Sequence, residues 1–129
     1  MTYQIRSFSL SDDLALCAEA EQAAYFEVHS PANLEENTIR TALDRIAKRV
    51  QAGTYWGFTA IEEGVPVGLV LIDGEGPAAF IDNLYVVPGS RRRGIGKRLV
   101  LQALERLQQE QVGSIELMVT AENEEAFHL

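Results

Sequence analysis

Arg91, Arg92, Arg93, Gly94, Ile95 and Gly96 follow an apolar run that ends at Pro88 and precede a long amphipathic pattern. That order predicts a turn leading from a strand into a helix, the kind of turn that binds phosphate. A helix N-terminus offers backbone N–H groups without intrahelical partners together with a partial positive charge, so an anion there gains hydrogen bonds and dipole stabilisation. Gly94 and Gly96 let the anion approach the backbone and supply the positive φ that such turns often require. Single residues exclude two other glycine-rich phosphate loops. A P-loop read from Gly89 and Gly94 needs lysine where Ile95 stands, and a dinucleotide fingerprint needs glycine where Leu99 stands.

The arginines have two plainer readings, a solvated helix start and a nucleic-acid patch. Three arginines at a helix N-terminus oppose the macrodipole, which favours a bound anion over a merely solvated start. The net charge of −8, from 19 acidic and 11 basic residues, argues against nucleic acid, since phosphate-backbone binding rests on a broad basic surface.

The elements that position this loop follow from periodicity and turn residues. Tyr3 to Ser7 alternates as a short strand, and Ser9 or Ser11 caps a helix that begins near Asp12 and runs to about Val28. Asn33 caps a second helix, with Leu34, Ile39, Leu43, Ile46 and Val50 at helical spacing and Gly53 as its stop. Strands at Tyr55 to Glu62 and Val65 to Asp73 are joined through Glu63 and Gly64 in a tight hairpin. A third strand covers Ala78 to Val87. The glycine loop then opens a helix to about Gln111, with Ile95, Leu99, Ala103 and Leu107 on one face. A strand at Ser114 to Thr120 and a helix from Asn123 complete the order. The fold class is therefore mixed α/β, with a mostly antiparallel central sheet flanked by helices, in one domain over residues 1–129.

The pattern of Arg or Gln, two residues, Gly, one residue, then Gly or Ala, set between strand and helix, resembles the coenzyme A pyrophosphate loop of the GNAT superfamily of N-acetyltransferases. The resemblance extends most clearly over Phe80 to Leu129, while the first half agrees in element order. It implies acetyl-CoA as cofactor, coenzyme A as product, and a small-molecule or protein amine as acceptor. It also implies that the coenzyme's pantetheine arm pairs like an extra strand with Leu84, Tyr85 and Val86. The loop backbone of Arg92, Arg93, Gly94, Ile95, Gly96 and Lys97 would hold the pyrophosphate, with charge-assisted bonds from Arg91 and Arg93. Asn123 matches an asparagine that touches the coenzyme's arm, a role compatible with N-capping.

Acetyl transfer needs a neutral amine, and Asp82, at a strand position often acidic in proteins similar to this one, is the candidate base, with Asn83 beside it. The alternative for Asp82 is a structural partner within the strand. A free backbone N–H near Tyr85 or Val86, released by a bulge there, would stabilise the developing oxyanion. A leaving-group acid is the unmet requirement. The family's usual tyrosine would fall just past Leu129, and the family pattern continues with two further strands, so the chain is read as C-terminally incomplete. That gap sustains a second functional reading, a non-catalytic coenzyme A-binding or partner-completed module.

Cys17 falls among apolar helix positions away from His29 and His128, which reads as a buried apolar residue and not a nucleophile. No Cys/His cluster supports a metal. No apolar run reaches the ~18 residues of a membrane span, and residues 1–7 lack a signal peptide's regions, so cytoplasm is the expected location. Trp56, Tyr25 and Phe26 have two readings, the lining of an acceptor pocket and, more usual for aromatics on a strand or helix face, core. Homodimers are common among proteins similar to this one.

Overall fold

The computed structural model describes residues 2–28, 36–74, 78–109 and 114–117. Its strands are β1 (Gln4–Ser7), β2 (Tyr55–Glu62), β3 (Val65–Asp73), β4 (Ala78–Val86) and β5 (Ser114–Leu117), and its helices α1 (Leu10–Val28), α2 (Glu36–Ala52) and α3 (Ile95–Gln109). The strands form one sheet in the order β1-β2-β3-β4-β5. The first four are antiparallel to their neighbours, and β5 runs parallel to β4.

The hairpin is where the turn residues put it. Glu63 and Gly64 both have positive φ, the two-residue connection whose twist matches an antiparallel pair. β2 and β3 have the expected bounds. β4 ends at Val86, one residue early, because Val87 leads into a 3-10 turn at Pro88–Ser90. α1 starts at Leu10 and not near Asp12, because Ser9 occupies the cap position: its carbonyl accepts from Asp13 N–H at 2.8 Å. The cap at Asn33, the ends expected at Gln111 and Thr120, and the helix from Asn123 lie outside the described residues.

Side-chain alternation along β3 sorts the core into two layers. Val70 and Ile72 meet α3 through Ile95, Leu99, Ala103 and Leu107, the stripe seen in the sequence, and through Val100 beside it. Leu69 and Leu71 face the other way, against Leu16, Cys17 and Ala20 of α1 and Ile46 of α2, with Tyr55 and Tyr85 in the same layer. Both faces of β3 are buried, which is why its sequence is almost continuously apolar. A Cβ at Gly57 would lie 1.9 Å from the Val70 carbonyl oxygen, so the close approach of β2 and β3 demands glycine there. Trp56 belongs to the α3 layer, edge-on to Phe58 and 4.2 Å beneath the Arg106 guanidinium. No helix among the described residues is long and apolar enough to cross a membrane.

One buried carboxylate ties three elements together. Asp13 is 1% exposed. It accepts from both terminal nitrogens of Arg6 at 2.9 and 2.6 Å, from Ser9 N–H at 3.0 Å and from the Thr59 hydroxyl at 2.8 Å. Burial pushes its carboxyl up, but the hydrogen bonds from Arg6, Ser9 and Thr59 outweigh burial and hold it below the ordinary carboxylate value. A depressed folded-state value means that this stabilisation is complete above the unfolded value of about 3.9 and is lost as pH falls through the folded value. Replacing Asp13 by Asn is expected to cost about 3 kcal/mol in urea denaturation at neutral pH, by leaving Arg6 without its partner. The difference between the two proteins should narrow steadily below about pH 4, where the wild-type carboxylate is protonated in the unfolded chain.

Candidate active site

The arginine–glycine segment forms the turn between β4 and α3. After the 3-10 turn, Arg92 has φ +65° and Gly94 φ +78°. Alternation of left-handed and ordinary conformations turns successive N–H groups toward one side and forms an anion-accepting concavity. The first bond of α3 runs from Arg98 N–H to Gly94 O at 3.0 Å. The N–H groups of Ile95, Gly96 and Lys97 are therefore ahead of the first intrahelical donor, as an anion site requires. Ile95 and Gly96 are buried, while Lys97 and Arg92 have exposed side chains.

The other two arginines are engaged within the protein. Arg91 donates from Nε to the Val86 carbonyl at 2.9 Å and lies 5.7 Å from the centre of the Tyr85 ring. Arg93 forks onto Glu62 at the end of β2, with contacts of 3.0 and 2.5 Å. That pairing raises Arg93 and lowers Glu62 from their ordinary values. Both terminal nitrogens of Arg93, expected to face a pyrophosphate, thus hold the loop to the β2–β3 hairpin. The exposed cations at the turn are Arg92 and Lys97.

Strand β4 carries the remaining candidates. Val87 N–H donates to Val67 O at 2.9 Å, so two-residue alternation turns Tyr85 N–H toward β3 as well and turns the N–H groups of Leu84 and Val86 toward the opposite edge. The described pairing with β5 covers Ala78 to Ile81. Beyond it, Leu84 and Val86 present donors to that edge, whereas Tyr85 does not. The bulge is also elsewhere than expected. Leu71 pairs with Asn83 and Ile72 with Ile81, so the extra residue is Asp82, while Tyr85 and Val86 keep regular register with Leu69 and Gly68. Asn123 lies outside the described residues.

Because a bulge breaks alternation, Asp82 and Asn83 both serve the α1 face of the sheet. Asp82 is exposed, and one carboxylate oxygen, Oδ2, accepts a short hydrogen bond from the Tyr55 hydroxyl on β2. The Asn83 side chain lies near the Glu21 carboxyl on α1 and favours its ionised form. Glu21 is pushed up first by burial and then by the charge of Asp82, with Arg45 and Asn83 pulling the other way. The Tyr55 phenol is pushed up by burial, and further by its bond to Asp82 and by the charges of Asp82 and Glu21. Nearby, the Tyr85 hydroxyl donates to Glu19 at 2.7 Å. Tyr55, Asp82 and Glu21 thus form one group between α1 and the sheet, and Tyr85 with Glu19 a second pair across the same interface.

Sequence reading picked out Asp82 and Asn83 but not Glu19, Glu21, Tyr55 or Glu62 as members of the site. One signal was present for Glu21: it stands four residues after Cys17 and eight after Asp13, so acidic residues flank a buried cysteine on one helical stripe. The partners of Tyr55 and Glu62 are set by sheet pairing, which local spacing does not encode.

The site thus joins a central strand to a turn whose N–H groups and exposed cations suit an anion. A profile of the Acetyltransferase (GNAT) family matches residues 14–129, and the chain belongs to that family. Acetyl-CoA is the cofactor of that family. The fold is similar to a GCN5-related N-acetyltransferase from Ralstonia eutropha, with a TM-score of 0.76 and 24% identity over 98% of this chain and 89% of that one. A predicted acetyltransferase from Clostridium acetobutylicum, solved with acetyl-CoA, gives 0.77 and 14% over 99% and 90%. The PaiA N-acetyltransferase of Thermoplasma acidophilum, solved with coenzyme A, gives 0.70 and 20% over 98% and 85%. At these identities the likeness is one of fold. Curated proteins give no significant match to the sequence.

Cys17 is fully buried, and burial followed by the charges of Glu21 and Asp13 pushes its thiol up to about 12. A thiol so placed is a poor nucleophile, which argues against an acetyl-enzyme formed on Cys17. Titration with a disulfide reagent at pH 8 should find the thiol unreactive in the folded protein and fully reactive in denaturant; rapid labelling of the native chain would contradict this assignment.

Proposed function

We propose that the protein is an N-acetyltransferase that moves an acetyl group from acetyl-CoA directly to a primary amine. The observation that carries this reading is the arrangement on one strand: β4 bears an exposed carboxylate at Asp82 and leads into the anion-ready turn before α3. The residues fit the coenzyme. The N–H groups of Ile95, Gly96 and Lys97, with the Arg92 and Lys97 side chains, suit a diphosphate. The edge-facing donors of Leu84 and Val86 suit an amide-bearing arm that adds to the sheet. When bound, acetyl-CoA supplies an acetyl group already activated as a thioester.

The protein's own part is positioning, proton transfer and charge stabilisation. A protonated amine cannot attack a carbonyl, and the Asp82 carboxylate accepts its proton, directly or through one water. The Val86 N–H, turned away from β3, donates to the carbonyl oxygen as charge builds there. Arg91, clamped to the Val86 carbonyl, holds that segment of backbone in place. As the nitrogen-to-carbonyl bond forms and the carbon–sulfur bond breaks, the nitrogen gives up its second proton to solvent, and the thiolate set free would take one up from solvent. The carboxylates of Glu19, Glu21 and Asp82 favour a cationic acceptor over an anionic one.

Calorimetric titration of acetyl-CoA is the first test. Lys97→Glu reverses an exposed charge at the turn on an ordinary helical residue, so it spares packing and strains no backbone. Its affinity should fall at least about tenfold with the fold retained, through charge repulsion at the anion site; undiminished binding refutes the loop assignment. Turnover is then assayed with spermidine, glucosamine, lysine and an amine-terminated peptide. Asp82→Asn should lower kcat/KM by about 100-fold or more with whichever amine reacts fastest, as loss of a general base does. An unchanged rate and pH profile would remove Asp82 from that role.

A further inference from the structure

We propose that Tyr55 is a positioning residue for the Asp82 carboxylate, fixing one of its oxygens so that the other faces the incoming amine; the inference rests on Asp82 being the base. Tyr55 lies on β2, one strand away from Asp82's strand, with β3 between them. Its residue is 2% exposed and packs in the layer formed by Leu16, Cys17, Ile46, Leu69 and Leu71. Packing from two helices and the sheet therefore fixes the hydroxyl. The bulge carries Asp82 to that hydroxyl, and the exposed side of the carboxylate remains open to the site.

The choice of donor has chemical content. An aspartate on an exposed strand edge can rotate about two side-chain torsions, and a fixed hydrogen bond removes most of that freedom before the amine arrives. A cation in the same place would suppress the carboxylate's basicity, whereas a neutral phenol orients it with less loss. The charges around it fit this division. From α1, Glu21 adds negative charge. From α2, Arg45 acts on Glu21, while Arg49 pairs with Asp73 at 3.0 Å and lies 5.8 Å from the Tyr55 ring. On β4, the Tyr85 hydroxyl is directed to Glu19. Cys17, beside Tyr55, is buried. Burial also keeps the Tyr55 phenol protonated, so it acts as a donor and does not compete as a base.

The test is Tyr55→Phe, alone and with Asp82→Asn, in the full chain. With the fastest amine of the panel, kcat should fall about tenfold while KM for acetyl-CoA stays unchanged. The acidic limb of the pH–rate profile should move up, because a bond to the ionised form has been removed. In the Asp82→Asn background the same change should add no further loss. An unmoved limb, or a loss that adds in full, makes Tyr55 a packing residue only and overturns the inference. If Asp82→Asn itself keeps wild-type rate and profile, the base reading falls and the inference with it, an outcome distinct from failure of Tyr55→Phe alone.

A second arm needs no turnover. With tyrosines labelled at Cζ, the Tyr55 resonance, assigned by its loss in Tyr55→Phe, should shift with a single step in the carboxylic-acid range. That step should vanish in Asp82→Asn; a Tyr55 resonance that ignores the carboxylate refutes the proposal. Should Tyr55→Phe fail to fold, site-specific 3-fluorotyrosine at position 55 keeps the hydroxyl and strengthens its donation, and the limb must then move down.

Discussion

A single inserted residue in β4 sets the terms for the rest of the site. Regular pairing would send Asp82 and Asn83 to opposite faces, one of them into the layer beneath α3. The bulge instead gives both to the face covered by α1, where Tyr55 and Glu21 receive them. The strand resumes its register before Tyr85, so the segment leading to the turn keeps its alternation of donors. An irregular polar patch and a regularly alternating segment therefore occur within five residues, Asp82 to Val86, of the same strand.

The two ends of this segment have opposite electrostatic characters. At the turn, unpaired N–H groups, a helix dipole and exposed cations favour negative charge. On the α1 face, carboxylates beside tyrosines and an asparagine favour positive charge. A coenzyme carrying phosphates and an amine carrying a proton are thus drawn to different ends of one strand. The overall charge of −8 conceals this separation, because it sums over regions that act locally.

Much of this was legible in the sequence for identifiable reasons. The β2–β3 hairpin is specified by Glu63 and Gly64, and α3 by a stripe from Ile95 to Leu107 that is almost entirely buried. The turn could be located because glycine, arginine and the flanking periods all point to the same place. What escaped reading depends on contacts between residues distant in the chain. Tyr55 and Asp82 are 27 residues apart, and Arg93 and Glu62 31 apart, so neither pairing has a local signature. The bulge has none either, since neither glycine nor proline marks it, and it was expected near Tyr85 or Val86 and not at Asp82. Tyr55 shows why residue type alone misleads: its ring is core, as an aromatic in a strand usually is, while its single polar atom belongs to the site.

The ion pair between Arg93 and Glu62 has a consequence for the thermodynamics of ligand capture. A glycine-containing turn with two residues at positive φ is a costly segment to immobilise, and a ligand that had to order it would bind more weakly for that reason. Arg93 fastens the turn to the end of a strand whose position the sheet already determines. Much of the ordering entropy is then lost during folding and not on association. Weakening that fastening would tax affinity through the free state, leaving every contact in the bound state unchanged.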